Sequence, residues 1–230
     1  MRRRIPFALV LTAAALATAS LALGQEPAEC PPEGLVPQLM TPPAEYLPAD
    51  GALVVGLFPG GSDTRGELPP LALTRRRQTI ALRSEAIAPG LFRLVPESRL
   101  RGRYDLTGLS APQLYFRRAA LPPPPTTPVL ERVERYLVAS GGEPRMEVRA
   151  HFAFPLPPNV VAVVSAWGED EEPDAWARST PTQRSLVLAT RGACDAALGT
   201  SPPQTGGSVR VAFVDRHGQV SPLSEAKPIE

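Results

Sequence analysis

The residue types capable of acid–base or nucleophilic chemistry gather near the end of the chain, at Asp215, His217, Ser221 and Ser224. An aspartate, a histidine and a serine form a catalytic triad only when the fold converges them and the acid orients the base. Here they share one short segment, in which Asp215 and Gly218 are ordinary turn formers. No G-x-S-x-G motif accompanies them. We therefore expect no catalytic residues here, and a protein that is not an enzyme.

Metal and cofactor chemistry has little support in the sequence. The acidic run 169–172, with Asp174, offers the oxygen ligands that Ca²⁺ prefers, but it lacks the alternating acids and the glycine of an EF-hand loop. His151 falls on the polar face of a predicted strand, where we expect it to be solvated. Neither an H-E-x-x-H motif nor a phosphate-binding glycine motif occurs. The sequence predicts no metal and no cofactor.

Two sets of side chains are candidates for binding a polymer. Arg99, Arg101 and Arg103 alternate along the chain and would share one face of a strand. Guanidinium groups there can hold phosphate or carboxylate groups of an anionic polymer. Trp176 and Trp167 bracket the acidic run, and an exposed tryptophan can stack on a sugar ring. The alternatives are a solvated sheet face for the arginines and core packing for Trp167, which ends an apolar strand, so Trp176 is the freer of the two tryptophans.

Residues 1–24 have the three parts of a secretory signal peptide. Arg2–Arg4 are basic, Ile5–Leu23 are apolar or small, and Ala22–Gly24 place small residues at a cleavage site. An uncleaved anchor is the alternative, because the apolar stretch is long enough to be considered as a membrane span. We expect cleavage and export to the periplasm, the outer surface or the medium, with no transmembrane segment left.

The charge of the chain is small. The net charge is +1, and loss of residues 1–24 removes three arginines and no acid, which leaves −2. A dedicated nucleic-acid binder usually carries a large basic excess. We therefore expect no nucleic-acid partner.

The chain has two cysteines, Cys30 and Cys194. An even number in an oxidising compartment predicts one disulfide. By closing a long loop in the unfolded chain, this disulfide would stabilise the folded state by about 5 kcal/mol in the chain-entropy model. Two free thiols in a reducing compartment are the alternative.

Proline runs divide the sequence. Residues 120–128 contain four consecutive prolines, and residues 25–43 form a second proline-rich segment. Consecutive prolines favour extended polyproline II and interrupt helices and central strands. Two modules remain, 44–119 and 129–230.

Both modules show the period of two that is typical of half-buried strands. In 145–154 apolar residues from Met146 to Phe154 alternate with polar ones, and 208–215 repeats the pattern. Residues 129–138 suit a helix or a strand. The other predicted strands are 51–58, 70–74, 77–82, 91–95, 101–106, 113–117, 159–167 and 185–190.

The segment 209–224, an alternating strand followed by an Asp-x-x-Gly-x-x-Ser turn, resembles the last hairpin of fibronectin type III-like domains. The segment 91–106 resembles part of bacterial immunoglobulin-like domains. The resemblance implies two tandem immunoglobulin-like or fibronectin type III-like β-sandwiches joined by a proline-rich linker. It implies binding, spacing or adhesion and no activity.

The sequence as a whole favours an exported, non-enzymatic binding or structural protein of the cell envelope. Its expected partner is another envelope protein or a polysaccharide. The alternative is a carbohydrate-binding or accessory hydrolase module. An enzyme would need its polar groups gathered in a cleft, whereas a scaffold would leave them scattered.

Overall fold

The computed structural model contains strands and no helix in the part of the chain that it describes, so the expectation of an all-β protein is confirmed. The described residues are 34–41, 46–61, 68–110, 113–139, 145–169, 172–191 and 207–230.

The first eight strands form one sheet in the order β1-β3-β6-β5-β4-β7-β8-β2. Neighbouring strands are antiparallel except β2 and β8, which are parallel. The strands are β1 Gly34–Leu39, β2 Tyr46–Pro48, β3 Leu53–Gly61, β4 Ala72–Arg75, β5 Gln78–Ala88, β6 Leu91–Pro96, β7 Gly102–Thr107 and β8 Leu114–Arg117.

Period-two patterning explains which way these strands face. In β7, Tyr104 and Leu106 are buried while Arg103 and Asp105 are exposed. The buried residues of seven strands join one cluster, the first core, so the sheet curls around them. The first core comprises Leu47, Leu53, Val55, Leu71, Leu73, Ile80, Leu94, Leu100, Tyr104, Leu106, Leu114 and Phe116.

The remaining strands form two further sheets. One has three strands in the order β13-β10-β9, and the other has four in the order β12-β11-β14-β15. The second core draws on both sheets, as in a sandwich; its members include Val148 and Phe152 from the first and Val163 and Val211 from the second. The strands are β9 Leu130–Val138, β10 Arg145–Phe152, β11 Val160–Trp167, β12 Ala175–Arg178, β13 Ser185–Arg191, β14 Ser208–Asp215 and β15 Lys227–Pro228.

A third cluster, the shared core, joins the four-stranded sheet to the eight-stranded sheet. It comprises Met40, Val54, Ala88, Leu91, Ala162, Val164, Ala212 and Val214. The four-stranded sheet is therefore a middle layer with apolar residues on both faces. All described residues belong to one compact unit, Pro31–Glu230.

The structure extends or resolves several of the strand predictions. Residues 129–138 form strand β9, in which Val133 is buried while Leu137 is exposed, so the spacing typical of a helix is not used. Strand β1 lies inside the proline-rich segment 25–43. It tolerates Pro37 because it is the edge strand of its sheet, where an amide donor is not required on the outer side.

Candidate functional site

Asp215 is fully buried and organises the turn that follows β14. Its Oδ1 accepts hydrogen bonds from the backbone amides of His217 (2.9 Å) and Gln219 (2.8 Å). Its Oδ2 accepts a third from Nε2 of Gln219, at 3.1 Å. These are the bonds of an Asx-type turn, in which a side chain satisfies backbone donors. The carboxylate is occupied by the turn and does not orient the His217 ring.

The two serines of the same segment also bond to the backbone. Ser221 Oγ accepts a hydrogen bond from the Phe213 amide at 2.9 Å and donates to the Pro222 carbonyl. Ser224 Oγ accepts from the Val211 amide at 3.0 Å in the same way. They supply the acceptors that a neighbouring strand would have given β14. The side chains of Asp215, Ser221 and Ser224 therefore hold the backbone of this segment in place, whereas Nδ1 of the buried His217 has no hydrogen-bond partner among the described residues.

The turn also packs against the first half of the chain, which is the part that forms β1–β8; the second half is the part that forms β9–β15. Thr41 Oγ1 donates to the Arg216 carbonyl at 3.0 Å and accepts from the Val54 amide at 2.9 Å. Gly218 has a φ of +72°, and a Cβ there would lie 2.8 Å from side-chain carbons of Arg93. Glycine is required twice, for its backbone conformation and for this close approach. The turn therefore adds polar contacts between the two halves beside the apolar shared core.

The two tryptophans take part in packing. Trp167 is 6% exposed and belongs to the second core. Trp176 is partly buried against the shared core, where its ring meets Phe58 edge to face at 5.2 Å and packs over Gly56. Both rings are engaged by apolar neighbours.

The structure places Arg99, Arg101 and Arg103 on the surface, all exposed. Strand β7 begins only at Gly102, whose φ of +98° interrupts the regular alternation. The continuous strand that would have aligned all three side chains is therefore absent. Arg103 alone lies within β7, with its side chain on the outer face.

Arg103 has aromatic neighbours on the outer face of the sheet. In the strand register it is paired with Tyr115 of β8, which is paired in turn with Tyr46 of β2. The Tyr46 and Tyr115 rings meet edge to face at 4.9 Å, and the Arg117 guanidinium lies over the Tyr46 ring at 4.6 Å. These four residues, Tyr46, Arg103, Tyr115 and Arg117, are called the Arg–Tyr face below.

The arginines of the Arg–Tyr face form no ion pair with any described residue. Asp105, which follows Arg103 on the same side of β7, instead accepts a hydrogen bond from Gln113 at 2.9 Å. Tyr46 is 57% exposed and Tyr115 is 38% exposed. The face therefore presents two un-neutralised cations beside two accessible rings.

Two of these four residues, Tyr115 and Arg117, can be recognised from the sequence as surface residues. Leu114 and Phe116 alternate with Tyr115 and Arg117, a period of two that predicts the second pair on an outer face. Tyr46 cannot be recognised in this way, because its position depends on the parallel pairing of two strands far apart in the chain.

A second polar cluster lies on the outer face of the three-stranded sheet. His151 was expected to be solvated, but its Nε2 lies 2.9 Å from Oε2 of Glu134. The same carboxylate accepts a hydrogen bond from Tyr136 and pairs with Arg132 at 3.2 Å. The hydrogen bond from Tyr136 is the main reason that the pKa of Glu134 lies below its usual value, with Arg132 and His151 adding to it and desolvation opposing it.

This lowered pKa makes a testable prediction about stability in acid. The unfolded carboxylate titrates near 4.5, so Glu134 contributes its full stabilisation above that pH and loses it as the pH falls through the lower folded pKa. We expect Glu134→Gln to make the loss of stability below pH 4.5 less steep, as measured by urea unfolding at several pH values. Glu131→Gln, an exposed change on the same strand, is the control and should leave the slope unchanged. If the free energy of unfolding fell equally steeply with pH in the wild type and both variants, Glu134 would not be a source of the acid sensitivity.

Some candidate residues fall outside the described part of the chain. Cys30 and Cys194 both do, so the disulfide stays a prediction. Residues 170–171 of the acidic run do as well. Within the described ranges, no helix has the length and apolar character needed to cross a membrane.

No protein-family model matches the chain, and a search of curated proteins finds no match.

Proposed function

We propose that this chain is an exported, non-enzymatic binding protein of the cell envelope, which presents the Arg–Tyr face to an anionic macromolecule. In this proposal two β-sandwich modules of immunoglobulin-like or fibronectin type III-like topology are joined by the linker 120–128. They act as one scaffold, and the ligand binds on the outer sheet face of the first.

The observation that carries the proposal is the pair of exposed arginines without an acidic partner. A surface arginine paired with a carboxylate gains little and is neutralised, as Arg149 and Glu147 are at 3.0 Å. Arg103 and Arg117 have no such partner among the described residues. Their charge and their hydrogen-bond donors are therefore available to a ligand that carries carboxylate, sulfate or phosphate groups.

The shared core supports the role of a scaffold. Because apolar residues of both halves are buried together, the halves resist independent motion. The linker is tied as well, since Nε2 of Gln219 donates to the Pro122 carbonyl at 2.8 Å. A binding face on a rigid support loses little conformational entropy when a ligand binds.

Export is supported by residues 1–24, whose basic start, apolar stretch and small-residue end are those of a cleaved leader. The partner would then be an envelope polymer or protein with negative charge. A Cys30–Cys194 disulfide suits the same compartment.

The experiment is a binding titration against heparin, a sulfated polymer, at increasing salt. We expect wild-type affinity to fall steeply with salt, because exposed charges are screened beyond about 10 Å at 0.1 M. Arg103→Glu with Arg117→Glu should weaken binding about tenfold or more, because two attracting charges are replaced by two that repel the polymer. A tenfold loss corresponds to about 1.4 kcal/mol of binding free energy. Folding of each variant is verified by its thermal unfolding.

The matched control is Arg145→Glu with Arg184→Glu. Both arginines are exposed and lie in the second half of the chain, and the double change alters the net charge by the same amount. It should leave the affinity nearly unchanged. Equal losses in both double variants would mean that binding follows net charge alone, and would overturn the proposal.

A further inference from the structure

We infer that the ligand of the Arg–Tyr face is an acidic polysaccharide, a chain of sugar rings that carry carboxylate or sulfate groups. This inference rests on the proposed binding function and goes further by naming the ligand class. Its basis is the combination of two rings and two cations in one small area.

Arg117 is positioned by an aromatic ring that does not neutralise its charge. The Arg117 guanidinium over Tyr46, at 4.6 Å from the ring centroid, is held by a cation–π contact. This contact satisfies none of the guanidinium's hydrogen-bond donors, and no described residue accepts a hydrogen bond from Arg117, so its N–H groups remain available to a carboxylate or sulfate. Arg103 lies on the far side of Tyr115. The aromatic pair is thus flanked by a cation on each side.

The rings suit sugars better than nucleobases. A base stacks flat on a free aromatic face, and single-strand binders offer successive faces for this purpose. Here one face of Tyr46 is covered by Arg117, and the two rings stand 74° apart. A pyranose is puckered and presents C–H groups together with hydroxyls, which can contact ring edges and the tyrosine hydroxyls.

The face lies at one end of the eight-stranded sheet, where β2, which carries Tyr46, is the last strand in the order. A ligand running across β7, β8 and β2 would meet Arg103, Tyr115 and Tyr46 in turn, which follows the register of the strands. This linear order suits an extended chain of sugars.

The test compares ring-containing and ring-free polyanions. The probes are heparin, polygalacturonate, inorganic polyphosphate and a thymidine oligonucleotide, and the variant is Tyr46→Ala with Tyr115→Ala. We expect this variant to lose about tenfold in affinity for the two glycans, a typical contribution of aromatic contacts in a binding site. Its affinity for polyphosphate, which has no rings, should change less than about twofold.

Two control variants show whether affinity depends on ring contacts with the ligand or on a general effect of replacing a surface tyrosine. Tyr46→Phe with Tyr115→Phe keeps the rings and should retain most of the glycan affinity. Tyr136→Ala removes a tyrosine that is exposed to the same extent as Tyr115, at 38%, but lies on β9, and it should retain wild-type binding of all four probes.

The outcomes distinguish this inference from the proposed function. An equal loss for polyphosphate in the alanine variant would mean that the rings only hold Arg117, and would overturn the inference. So would tighter binding of the oligonucleotide than of either glycan. In both cases the proposed binding of anions by Arg103 and Arg117 would stand. Failure of all four probes to bind would overturn both.

Discussion

Replacing Leu91 with alanine is expected to lower the free energy of unfolding by about 2–5 kcal/mol, the range for a leucine truncated in a packed core. Leu91 opens β6 and has no exposed surface. It lies in the shared core, opposite residues such as Val164 and Val214 of the second half. The change would leave a cavity between two sheets, where neither layer can close the gap without moving the other. Urea unfolding measures the loss.

Leu137→Ala is the matched control, because it makes the same chemical change at a leucine that is 76% exposed on β9. It should cost less than about 0.5 kcal/mol. Trp167 lies in the second core and Trp176 packs against the shared core, so tryptophan fluorescence reports whether a change in β6 is felt by the strands that follow residue 129. We expect Leu91→Ala to lower the urea concentration at the midpoint of the unfolding transition that tryptophan fluorescence follows. An unchanged tryptophan transition would show that the halves unfold independently.

Replacing Asp215 with alanine is expected to cost about 3 kcal/mol. The buried carboxylate accepts two backbone hydrogen bonds and one from Gln219, and bonds to a charged group contribute about 1.5–3 kcal/mol each before losses overlap. Its removal leaves the amides of His217 and Gln219 without their acceptor. Because the same turn contacts Thr41 and Arg93, we expect the loss to extend to the packing of the two halves. Thermal and urea unfolding measure it.

Two further variants test the origin of this effect. Asp215→Asn keeps an oxygen that can accept the amide bonds but removes the charge, so its cost should be smaller than that of alanine. Asp50→Ala removes an exposed aspartate and should change stability by no more than about 0.5 kcal/mol. The role of the carboxylate would be disproved by an Asp215→Ala protein as stable as Asp50→Ala.

The strands were predictable where a period of two extends over several residues. Residues 208–215 match β14, 91–95 match β6 within one residue, and 159–167 match β11 within one residue. This success has a physical reason, because alternation of side chains across a strand is a local property of the extended backbone. The strands without such a pattern were missed. They are short or proline-containing, as β2, β12 and β15 are short and β1 contains Pro37.

The candidate site was only partly predictable. The sequence singled out Arg103 through its alternation with neighbouring arginines, but it also grouped Arg99 and Arg101 with it. The positive φ of Gly102 ends that alternation, and such a backbone angle leaves no periodic trace in the residues around it. Asp215 was recognised as a turn former, yet the contact of its turn with β1–β8 depends on Thr41, whose hydroxyl donates to the Arg216 carbonyl 175 positions later in the chain.

Local spacing of residues is enough to predict that this chain forms strands, and which side of most strands is apolar, because both depend on residues that are close in the chain. What covers each side depends on long-range packing. Ala212 and Val214 lie on the side of β14 that alternation assigned to solvent, and they are buried because the eight-stranded sheet packs there. Tyr46 meets Tyr115 because two distant strands pair in parallel. Packing between layers depends on the shape and area of many residues that are distant in the chain, so it cannot be predicted from the spacing of residues within one strand.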